Sequence, residues 1–169
     1  MNLRRIIKEE LLKEVGGYDD PSVMSQHAGA IMGMLSGSHN DLSNTLAGLA
    51  NAVMDGTPKR DLTSFLKETS KDIMIFIDVI KRALIEFTED DVKLKAKEVI
   101  KSLNSFKRKI DVLTNFSSEM GGDEQFRERL KQILMDLIPT LQEYGEQLQI
   151  TNKMFMNRLS SFGSGFMSN

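Results

Sequence analysis

Residues 59–87 read KRDLTSFLKETSKDIMIFIDVIKRALIEF, and in them Leu62, Leu66, Thr69, Ile73, Phe76, Ile80, Ala83 and Phe87 alternate spacings of four and three. An alternation averaging 3.5 residues keeps one stripe of a helix turned toward a partner helix, whereas a half-buried strand alternates every second residue. The run Ile73-Met74-Ile75-Phe76-Ile77, with its β-branched residues, would suit a strand if it stood alone. The heptad continues on both sides of it, so the reading is one long helix.

The same rhythm returns twice downstream. Val92, Ala96, Val99, Leu103, Phe106, Ile110, Leu113, Ser117 and Met120 carry it next, after Thr88 as a cap and Glu89, Asp90 and Asp91 in a first turn. Phe126, Leu130, Ile133, Leu137, Leu141, Tyr144, Leu148, Phe155, Leu159 and Phe162 carry it last, with Pro139 expected to kink that helix. Gly121-Gly122-Asp123 marks the turn between them, and Thr57-Pro58 opens the first of the three. Helices of roughly 30 to 40 residues span roughly 45 to 60 Å, and short turns force them to run up-down-up. The expected fold is all-α: an elongated, coiled-coil-like antiparallel three-helix bundle over residues 57–162, followed by a flexible tail at 163–169.

Upstream the pattern weakens. A first helix is expected from Leu3 to Val15, ended by Gly16-Gly17, and a second from Pro21 to Leu35 behind Asp20 as its cap. Ser36-Gly37-Ser38-His39-Asn40 reads as a loop. A third helix from Asp41 to Met54 shows Leu42, Leu46, Leu49, Ala50 and Val53 on one face, and Gly56 closes it. Residues 1–56 are therefore expected to form an N-terminal arm of three short helices.

Composition narrows the chemistry. The 169 residues include no cysteine, which removes disulfides and thiolate-held metals, and no tryptophan. A formal charge of −2 does not suit a generic nucleic-acid binder. Charges at Arg4, Arg5, Lys8, Glu9 and Glu10 break the first apolar stretch too early for a signal peptide, and no window is long and apolar enough for a membrane span. The only histidines are His27 and His39, read as a helix-surface and a loop residue. Neither belongs to a Glu-x-x-His pair, and there is no phosphate loop and no nucleophile elbow. No catalytic residue, metal ligand or cofactor is assigned, and the chain is expected not to be an enzyme.

Two surfaces stand out. Ser25, Gly29, Gly33 and Gly37 recur every fourth residue amid Met24, Met32 and Met34. Glycine weakens a helix by about 1 kcal/mol relative to alanine, so the stripe suggests that another backbone approaches, and methionine suits adaptable contacts. With the aromatic tail residues Phe162 and Phe166, it forms the candidate protein interface. From Val92 to Ile110, seven cations face the single Glu98. Lys93, Lys97, Lys101, Lys107 and Arg108 form a candidate polyanion-binding set. The plain alternative is an outer face balanced by Asp72, Asp78 and Glu86 on neighbouring helices.

The opening Leu3-Arg4-Arg5-Ile6-Ile7-Lys8-Glu9-Glu10-Leu11-Leu12-Lys13-Glu14 resembles that of many small uncharacterised proteins of marine bacteriophages. The resemblance implies a virion or virion-assembly role, in the host cytoplasm or the particle. The expected function is thus that of a non-enzymatic structural or assembly protein acting through helix–helix interfaces, with protein partners or further copies of itself. The rivals are a membrane-active helical bundle, in which residues 21–54 or 73–77 enter lipid, and a nucleic-acid-associated protein using the lysine face.

Overall fold

The computed structural model describes residues 21–167 apart from 88, 116, 117 and 120, and side chains for 29–151 and 153 among these. Four helices follow one another: α1, Pro21–Met54; α2, Lys59–Ala83; α3, Asp90–Asn115; and α4, Asp123–Met167. No strand occurs among the described residues, so the chain is all-α there. α1 and α3 each pack against both α2 and α4, and stand at opposite corners without touching among the described residues. Thr45 of α1 meets Asp72 of α2, Ser70 of α2 meets Asp111 of α3, and Lys95 of α3 meets Glu143 of α4. Each helix therefore runs against the next, in a square, antiparallel up-down-up-down arrangement.

The expected three-helix bundle with an arm is corrected on this point. The segments read as a second and a third helix are one helix, α1, and it fills the fourth corner of the bundle. Residues 36–40, expected as a loop, lie inside it. The reason is visible in the seam: Met32, Leu35, Leu42, Leu46, Leu49 and Val53 are all buried, and half-buried His39 takes the missing position. Spacings of three and four thus run unbroken through the stretch that local propensity assigns to a turn. Burying this stripe against α2 and α4 outweighs the weak helix preference of serine, glycine and asparagine.

The other seams match the reading closely. Every heptad position from Leu62 to Phe87 and from Val92 to Leu113 is buried. In α4 the seam uses Leu134 where Ile133 was expected, and Ile133 is half-buried beside it. α4 passes through Pro139 without a break, which fits the side it faces. Pro139 is exposed, and Met135, whose carbonyl loses its helical donor, is 64% exposed, so water can supply the missing bond. Residues 163–167, expected as flexible tail, continue α4.

Two turns close one end of the bundle, using glycines that adopt positive φ: Gly56 at 75° and Gly121 at 79°. The helix start expected at Thr57-Pro58 falls one residue later, with Pro58 extended at the N-cap of α2 and no side chain of its own turn capping it. Asp123, the first residue of α4, does this from across the bundle, its Oδ1 accepting from the Lys59 amide at 3.2 Å. Arg127 of α4 donates to the carbonyls of Gly56 and Thr57, both at 3.2 Å. The expected helix from Leu3 to Val15 and its Gly16-Gly17 and Asp20 boundaries lie outside the described residues.

Candidate functional site

The most unusual interior feature is a polar and aromatic layer where α1, α2 and α4 meet. His39 of α1 donates from Nε2 to the Leu141 carbonyl of α4 at 2.7 Å. Its ring stands edge-on to Phe76 of α2, with centroids 5.8 Å apart, and Phe76 in turn lies 6.1 Å from the ring of Tyr144. Gly145 makes the arrangement possible, since a Cβ there would sit 2.6 Å from His39 Cε1. The Tyr144 hydroxyl is buried with no hydrogen-bond partner, and burial pushes its pKa up to about 12. The layer was missed because His39 stands between two glycine- and serine-rich flanks. The signal that finds it is the unbroken three-and-four spacing from Met32 to Val53. The histidine read as a loop residue is a seam residue.

The outer face of α1 holds the small-residue stripe. Gly29, Gly33 and Gly37 are exposed, and a Cβ built on any of them would meet nothing within 4 Å. No backbone of this chain therefore approaches them among the described residues. Ser25 lies in α1, and Phe162 and Phe166 in α4, but their side chains are outside the described ones. The structure thus gathers three of the six interface candidates on one face.

The cations of α3 divide into tied and open groups. Lys95 is bonded to Glu143 of α4, and this hydrogen bond, with the charges of Glu143 and Glu98 adding to it, holds the ammonium pKa above its usual value. Lys109 lies 3.8 Å from Asp136 of α4. Of the candidate polyanion-binding set, Lys107 pairs with Asp111 on its own helix at 2.6 Å, and the same carboxylate accepts from Ser70 of α2 at 3.0 Å. Lys93 is half-buried, while Lys97, Lys101 and Arg108 are exposed. None of these four makes an ion pair among the described residues. The balance expected from Asp72 is not found, because its carboxylate accepts from Thr45 on the α1 side.

Among the described residues no three His, Asp or Glu side chains group as a metal site would require. No helix there is long and apolar enough to cross a membrane. Comparison with models of protein families, with curated proteins and with solved structures found no match.

Proposed function

We propose that the protein is a non-enzymatic assembly protein, and that the outer face of α1 is where another helix, most simply that of a second copy, packs. One observation carries this reading. α1 contains a single charged residue, Asp41, in 34 positions, whereas α2 contains ten in 25. Its exposed side is made of Gly29, Ala30, Gly33, Met34, Gly37, Asn40, Asn44, Ala47, Gly48, Asn51 and Met54, with Asp41 as its only charge. A solvated helix ordinarily carries charge on that side, while the centre of a protein interface is depleted of it. The glycines weaken α1 and serve no packing within the described chain, so close approach by a partner explains them. The resemblance of residues 3–14 to small marine bacteriophage proteins directs the proposal toward a virion or its assembly.

Sedimentation velocity over a range of concentrations tests it. Self-association is expected in the parent, and Gly29→Leu/Gly33→Leu should abolish it while the helical circular dichroism is kept and the stability of the bundle is retained or raised, since leucine favours a helix over glycine. Among the described residues nothing stands within 4 Å of a Cβ at either position, so a loss of assembly with the fold intact points to the partner. A parent that stays monomeric throughout, or a double variant that assembles normally, defeats the proposal. Dye release from liposomes by the parent would favour the membrane-active rival instead.

A further inference from the structure

The groove between α2 and α3 lies on a different side of the bundle from the outer face of α1, and its chemistry is the opposite. A cleft of about 280 Å³ opens there, lined by Met74, Ile77 and Lys81 of α2 and by Lys107 and Arg108 of α3, with Asp78 as its one carboxylate. Lys101, about two turns from Arg108, and Lys97, about one turn further, extend the row of cations along α3. Lys81, Lys97, Lys101 and Arg108 are exposed, and none makes an ion pair among the described residues. On a chain whose formal charge is −2, this concentration of open cations leaves the remaining surface acidic.

Apolar side chains are set among these cations. Met74 is 53% exposed within the cleft. Ile85, one turn after Lys81, is 64% exposed, and Leu94, one turn before Lys97, is 60% exposed. A phosphate backbone would gain nothing from these three, and the aromatic nearest the row, Phe106, is buried where it cannot stack on a base. Apolar anchors flanked by cations match a helix with one apolar face and acidic residues beside it.

We propose that the α2–α3 groove docks an acidic amphipathic helical segment of a partner protein. The apolar residues of that segment cover Met74 and its neighbours, and its carboxylates meet Lys81, Lys101 and Arg108. The Lys107–Asp111–Ser70 chain of contacts fixes the groove wall, so the site is formed before the partner arrives.

The test uses fluorescence anisotropy with three labelled probes: a peptide of about 20 residues with leucine and glutamate at helical spacing, a scramble of it, and an oligothymidylate of similar length. The patterned peptide is expected to bind in the micromolar range, more weakly as salt rises. The scramble should bind about tenfold worse, as should the patterned peptide to Lys81→Glu/Arg108→Glu. Met74→Gln should weaken the patterned peptide severalfold, whereas Lys131→Glu on α4 should leave it unchanged. All four exchanges are at exposed positions, and circular dichroism melts confirm that each variant is folded. Equal binding of the scramble, tighter binding of the oligothymidylate, indifference to the groove variants, or no binding at all overturns the proposal. Gly29→Leu/Gly33→Leu should bind the peptide as the parent does, which separates this test from that of self-association.

Discussion

Tyr144 is 2% exposed, yet its hydroxyl has no partner in the seam. An unsatisfied buried hydroxyl costs roughly 1 to 3 kcal/mol relative to one that is hydrogen-bonded or absent. Tyr144→Phe keeps the ring against Phe76 and removes only the oxygen, so it should raise the unfolding free energy by about 1 kcal/mol at neutral pH, measured by urea denaturation. The same residue sets a pH limit. Its phenol titrates near 10.0 when unfolded and near 12 when folded, so the unfolded chain loses this proton first as the pH rises. Stability is therefore independent of this group's titration below pH 10.0 and falls as the pH climbs toward 12, because the fold resists charging the buried phenol. Over that interval the parent should lose up to about 3 kcal/mol more than Tyr144→Phe does. Parallel stability–pH curves for the two proteins would show that the hydroxyl is solvated in solution.

α1 offers the sharpest contrast between local preference and tertiary demand. A loop at 36–40 would accept proline, whereas a helix interior loses a hydrogen bond and gains a clash, at about 3 kcal/mol or more. Gly37→Pro should therefore destabilise the bundle by that amount, and Gly37→Ala should stabilise it by up to about 1 kcal/mol, because nothing stands within 4 Å of the new methyl group. Urea midpoints for the two variants give opposite signs if α1 is continuous and coincide if it is not. The heptads of α2, α3 and α4 could be read from sequence because their apolar residues are dense and their turns are punctuated by Gly56, Gly121 and Gly122. The seam of α1 was harder to read because one of its members is a histidine, and because the glycine beside it is a usual turn residue. Its outer stripe was visible as a pattern, but only the empty space around Gly29, Gly33 and Gly37 shows that the rest of the described chain leaves it uncovered. For the basic run, sequence gave the charges of α3 but could not show that Lys81 and Met74 of α2 stand beside them.

With α1 as its fourth member, the bundle no longer divides at residue 57. Leu35, Leu42, Leu46 and Leu49 are almost wholly buried against the rest of the core, and removing α1 would uncover apolar flanks of both α2 and α4. A fragment of residues 57–162 should consequently lack a cooperative melt and bind hydrophobic dyes, whereas the reading as a self-sufficient three-helix bundle requires it to melt as sharply as the full chain. Leucine-lined seams also tolerate sliding, since displacing one helix by a heptad offers each knob another hole of similar shape. The contact of His39 with Leu141 and Gly145 removes that degeneracy. A displacement of seven residues would set the imidazole opposite Leu134 and Ile138, where the bulk at Ile138 replaces the hydrogen atom of Gly145. A single polar side chain facing a single glycine therefore acts as an alignment mark, selecting one offset of α1 along α4 from several that hydrophobicity alone would leave nearly equal.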